Sequence, residues 1–154
     1  MHRTTCHWLF KTEPDVFSIH DLDSHQASMW DGVRNYTARN FLRDTVQCGD
    51  EVFIYHSSCK AIGIAGLARV SRQGYSDPAQ FDANSPYFDA KSTRDAPRWY
   101  CVDLKLTQVF PKVIPLAVLK AQPKLANMML IKQPRLSVSP VTDDEFAHIL
   151  SLLE

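Results

Sequence analysis

No run of apolar residues in this 154-residue chain is long enough to span a bilayer, and the longest stretches are short and interrupted. The N-terminal residues Met1 to His7 carry no apolar signal core. The expected compartment is therefore the cytoplasm of a bacterium, or the nucleus if the source is eukaryotic. Charge of one sign is missing too, because 17 Lys and Arg balance 17 Asp and Glu. A strongly basic domain would point to non-specific phosphate binding. Here any nucleic-acid contact must come from a local patch or a base pocket. There is no Cys-x-x-Cys pair. Cys6, Cys48, Cys59 and Cys101 lie far apart, which excludes a zinc knuckle, a redox motif or a small disulfide scaffold and reads as buried or half-buried thiols in a reducing compartment.

Enzyme signatures are lacking as well: no Gly-x-Gly-x-x-Gly, no Walker loop, no Gly-x-Ser-x-Gly and no His-x-x-x-His. His56 and Cys59 stand three apart in one hairpin and would point to opposite faces. Glu13 and Asp15 flank Pro14 next to a helix start, where capping is the expected role. The sequence thus predicts no catalytic residue, no metal and no cofactor. With no repeat, low-complexity tract or Gly/Ser linker, it predicts one domain over 1–154.

What is present is a globular composition, 45% hydrophobic and 22% charged. Strands are expected over Cys6–Lys11, Glu51–His56, Ala61–Ser71, Arg98–Phe110 and Leu136–Val141. Val52, Ile54 and His56 fall on one face of the second strand, and Phe53 and Tyr55 on the other. Gly63, Ala65 and Gly66 suggest tight curvature or a close backbone approach. Helices are expected over Ser18–Leu22, Asn35–Val46 and Pro115–Ala121, and from Thr142 to Leu153. Ser18 with Asp21, and Thr142 with Glu145, have capping-box spacing. Residues 74–97 read as a long surface loop, and such loops are often functional. Strands outnumber helices, which fits a small curved sheet or open barrel flanked by helices.

Planar side chains cluster with amide and basic groups between Met29 and Asn40. Trp30 is expected in a loop just before a helix N-terminus, whose free N–H groups suit phosphate or carbonyl oxygens. Trp30 as plain core and Asn35 as plain helix cap are the alternatives. If Trp30, Trp99 and Tyr55 converge, they form a slot able to sandwich a flipped base and read its edge.

Several segments together resemble the EVE domain: Trp8–Pro14, Trp30–Tyr36 with Ala38–Asn40, Gly49–Ser57, Asp77–Asp82, Pro97–Asp103 and Arg135–Val141. The resemblance runs through nearly the whole chain in order. It implies an α+β PUA-like open β-barrel flanked by helices, related to the YTH readers of N6-methyladenine. It also implies a non-catalytic module that binds a modified base, chiefly modified cytosine, in DNA rather than RNA, acting as a monomer. Carried over by position, Lys11, Thr12, Trp30, Asn35, Tyr36, Tyr55, His56, Ser57 and Trp99 would surround the base, and Arg34, Arg39 and Arg135 would hold phosphate. Ser58–Ile62 departs from the family's usual Asn- and Pro-containing turn. A small-molecule sensor, a nucleotide-handling enzyme using the same pocket (with His56 nearby), an RNA-binding module and a protein-interaction domain built on the 74–97 loop stay open.

Overall fold

A computed structural model of the chain describes residues 6–153. Residues 1–5 of the segment read for a signal core, and Glu154 at the end of the expected domain, lie outside the described residues. The elements follow in the order β1 (His7–Thr12), β2 (Ser28–Trp30), α1 (Tyr36–Asp44), β3 (Glu51–His56), β4 (Gly63–Ser76), β5 (Tyr100–Pro115), α2 (Leu116–Lys120), α3 (Met129–Lys132), β6 (Val138–Val141) and α4 (Asp143–Ser151). Short 3-10 turns stand at Ile19–Asp21, Pro78–Phe81 and Pro123–Leu125.

The strands form one mixed sheet in the order β2-β5-β4-β3-β1-β6. Among the described residues only β1 and β3 run parallel, Trp8 opposite Val52 and Phe10 opposite Ile54. The edges β2 and β6 do not meet, so the sheet forms an open α+β barrel. β3 alternates as expected, and both of its faces are buried. Val52 and Ile54 join a cluster with Trp8, Phe10, Trp30 and Leu42. Phe53 and Tyr55 join another with Leu119, Leu130, Phe146 and Ile149. α1 therefore covers one face of the sheet, and α2, α3 and α4 cover the other. Both capping boxes are present, Ser18 with Asp21 and Thr142 with Glu145.

Gly63 and Gly66 lie against β5 as their small size suggested. A Cβ at Gly63 would stand 2.0 Å from the Ile114 carbonyl oxygen, and one at Gly66 would stand 2.2 Å from that of Gln108. Both long strands outrun the sequence expectation. β4 continues to Ser76, past the expected stop at Ser71, because bulges after Val70 and Arg72 let it stay paired with β5. β5 continues to Pro115 although Pro111 interrupts it. Between the pairs Gly66–Val109 and Ile64–Ile114 the ladder slips, so Pro111 sits where no N–H is needed. Three further differences stand out. Trp30 ends a short edge strand paired with Val102, where a loop was expected. α3 and the turn before it were not anticipated. Cys48 is exposed, not buried, while Cys6 and Cys59 are half-buried and Cys101 buried.

Candidate functional site

A cavity of about 380 Å³ opens where the C-terminal end of β1 meets the end of β2. Its volume falls in the range of small-ligand sites, roughly 300–1,000 Å³. Three local devices shape it. The Glu13 carbonyl accepts from the N–H groups of Val16 and Phe17, both at 2.9 Å, and turns the chain back after β1. The Thr12 hydroxyl locks this turn by donating to the Phe17 carbonyl at 2.7 Å. Opposite, Gly32 adopts φ +80°, and its N–H donates to the Asp77 carboxylate at 2.9 Å.

Asp77 is fully buried and also receives Arg34 Nη1 at 2.9 Å and the Ala79 N–H at 2.8 Å. Arg34 in turn donates through Nε and Nη2 to the Tyr87 carbonyl, at 3.1 and 2.8 Å. The long loop is thereby tied down, and the Tyr87 ring closes over the cavity against Gly32.

The three tryptophans divide cleanly by what their indole N–H groups do. Trp8 donates to Asp50 at 2.9 Å, and Trp99 donates to Asp89 at 2.8 Å. Trp30 lines the cavity, only 6% exposed and packed against Phe10 and Phe17. Its indole N–H has no acceptor among the described residues. Next to it in sequence, Asp31 also lines the cavity, and no side chain donates to its carboxylate. Neighbouring protein displaces water from that carboxyl and Asp77 adds like charge, so its pKa is pushed above the ordinary value. Burial lowers the Lys11 pKa, and the Lys11 ammonium donates to the Pro134 carbonyl.

Of the residues expected around a base, the structure brings Lys11, Thr12 and Trp30 to this cavity. The others do not line it. Trp99 is buried outside it, stacked on Tyr36 with ring centroids 4.8 Å apart, while Arg34 lies over its ring at 5.3 Å. Tyr55 belongs to the core on the opposite face of β3, so the expected convergence with Trp30 and Trp99 does not form. His56 accepts the Ile19 N–H at 3.1 Å through Nε2, and burial, then the nearby His20, lower its pKa. Ser57 donates its N–H to the Thr12 carbonyl at 2.9 Å, bracing the end of β1. Asn35 caps α1 by accepting from the Ala38 N–H at 3.0 Å.

Among the expected phosphate ligands, Arg34 is committed to Asp77 and Tyr87 and serves as an internal clamp. Arg39 lies over the Tyr36 ring at 4.9 Å and donates to the Arg98 carbonyl. Arg135 is exposed, with no partner among the described residues. Sequence reasoning missed Asp31, Tyr87, Phe17, Val16, Met29 and Ser137 as lining residues. Three signals pointed near some of them: the Met29–Asn40 cluster, which carries Met29 and Asp31, the Arg135–Val141 segment, which carries Ser137, and the long loop, which carries Tyr87. Among the described residues no group of His, Cys, Asp and Glu is placed to hold a metal ion, and no helix is long and apolar enough to cross a membrane.

An open barrel with helices on both faces and a cavity at the end of its parallel strand pair is the PUA-like class. Within that class the chain belongs to the EVE domain family, whose sequence profile matches residues 6–152. It is 43% identical to human thymocyte nuclear protein 1, over 96% of this chain and 74% of that protein. A protein of Pseudomonas syringae, known from a crystal structure, is 47% identical, with TM-score 0.92 over 96% of this chain and 99% of its own. Human THYN1, crystallised in complex with 5-methylcytosine-containing DNA, is 43% identical, with TM-score 0.92 over 97% of this chain and 98% of its own.

Proposed function

We propose that the chain, as one monomeric domain over 1–154, binds a modified cytosine of DNA in the Trp30 cavity and performs no chemistry on it. In a bacterium it would act in the cytoplasm, and in a eukaryote in the nucleus. The observation that carries this reading is Trp30, an aromatic wall whose N–H has no acceptor among the described residues, beside a carboxylate to which no side chain donates. A base offers a π face and an edge with both acceptors and donors, and such a wall meets both. The DNA complex of human THYN1 supports the same reading. Val16, Phe17 and Met29 supply an apolar side to the cavity, suited to a 5-methyl group. Lys11 and Thr12 frame the strand end, and Arg135 and Arg39 face the backbone.

Burying one methyl contributes about 0.8 kcal/mol, roughly fourfold in affinity. Duplexes with a single 5-methylcytosine should therefore bind roughly fourfold more tightly than unmethylated ones in anisotropy titrations. Trp30→Phe keeps a ring but removes the N–H donor. It should weaken binding of both by roughly fivefold, the worth of one hydrogen bond. Equal binding of methylated and unmethylated DNA would overturn the reading. So would a mass change in the oligonucleotide after incubation, which would mean catalysis.

A further inference from the structure

A cytosine and a thymine that both carry a 5-methyl group present the same shape and nearly the same stacking face. They differ at two neighbouring edge positions: the 4-amino group of cytosine donates where the 4-oxygen of thymine accepts, and N3 of cytosine accepts where N3–H of thymine donates. A cavity that holds a methylated cytosine rejects thymine by placing an acceptor against the 4-position, a donor against N3, or both. Its candidate acceptors can be compared one by one. The Thr12 carbonyl already takes the Ser57 N–H, the Phe17 carbonyl takes the Thr12 hydroxyl, and the Tyr87 carbonyl takes two donors from Arg34. Asp77 is sealed beneath the cavity with three donors of its own. Glu13 also lines the cavity and, like Asp31, is exposed, but it sits on the turn after β1. Asp31 is set apart by its place. It follows the wall residue Trp30 directly, and the next peptide N–H, that of Gly32, is fixed to Asp77.

We propose that Asp31 is the residue that selects cytosine over thymine in this cavity, its carboxylate accepting a hydrogen from the 4-amino group of the bound base. The inference rests on the function proposed above. An anion crowded by Asp77 and partly stripped of water gains from a ligand that brings a donor. A ligand that brings a second acceptor puts two lone pairs face to face. Trp30 supplies the opposite polarity through its N–H, so the two neighbours read an edge that carries both a donor and an acceptor.

Asp31→Asn tests this directly. A carboxylate only accepts, whereas a side-chain amide can rotate half a turn and meet either base. The probes are duplexes with 5-methylcytosine or thymine opposite an abasic site, so that neither base must break a pair before it leaves the stack. The unsubstituted protein should prefer 5-methylcytosine at least tenfold, within the range of roughly 5- to 150-fold expected of one well-placed base contact. In Asp31→Asn the ratio should fall below threefold, mainly through tighter binding of thymine, with an unchanged melting temperature. Asp31→Ala should lose affinity for 5-methylcytosine and leave that for thymine nearly constant. Two results would overturn the inference and leave the proposed function standing: an unsubstituted protein that binds the two bases equally, or an Asn variant that keeps the full ratio. If the unsubstituted protein binds neither probe above the unmodified duplex, the function and the inference fall together.

Discussion

Gly32 shows how one residue holds the site together. At φ +80° it occupies backbone space that L side chains rarely adopt, and an added Cβ would meet the Tyr87 ring at 2.7 Å. Gly32→Ala should cost about 1–3 kcal/mol of stability from the strained backbone, and should push Tyr87 off the cavity. A denaturation curve gives the first effect, and weaker binding of methylated DNA gives the second. The local chemistry of such residues was partly legible in the sequence. The capping boxes at Ser18 and Thr142 lie within four residues, and so did the reading of Asn35 as a cap. The roles of the tryptophans were not legible, because what decides each is a carboxylate elsewhere. Asp50 takes the N–H of Trp8 from 42 positions away. Trp99 looked like a cage wall, and its partner Asp89 lies in a loop whose path no periodicity reveals.

That loop behaves as an element although it carries no strand. Gln80, fully buried, ties it to the start of β5, its side-chain oxygen accepting from the N–H groups of Arg98 and Trp99 at 3.0 and 3.1 Å. Its amide donates to the Trp99 carbonyl at 2.8 Å. Trp99, stacked on Tyr36 of α1 and bonded to Asp89, is thus the rivet between helix, loop and strand. Trp99→Ala should cost about 3–5 kcal/mol, the usual price of removing a buried indole. For a chain of this size that lowers the melting temperature by roughly 10 °C. A fold that melts normally while losing DNA binding would instead restore Trp99 as a contact residue. Strand existence was readable from alternation, but strand length was not. The bulges that carry β4 to Ser76 and pass Pro111 through β5 depend on which strand lies alongside, and sequence alone does not name the neighbour.

At the scale of the molecule, net charge is zero and Arg34 is taken by an internal clamp, so the proposed function leaves Arg135 and Arg39 to meet phosphate. Each neutralised phosphate contributes about −0.9 to the slope of log affinity against log salt for duplex DNA. Two contacts therefore predict a slope of roughly −1.8. Arg135→Ala should halve it and weaken methylated and unmethylated duplexes alike. A steep slope with no base preference would mark a backbone binder.

The sheet order carries a consequence for how the chain is made. β1 is flanked by β3 and β6, and Val138 of β6 follows Thr12 of β1 by 126 positions. A ribosome adding about 5–20 residues per second delivers β6 roughly 6–25 s after β1 has left the peptidyl centre. Throughout that interval one edge of β1, which bears Trp8, Leu9 and Phe10, has no native strand beside it. Synthesis, more than refolding of the finished chain, is when this protein is most open to wrong pairing and to capture by chaperones.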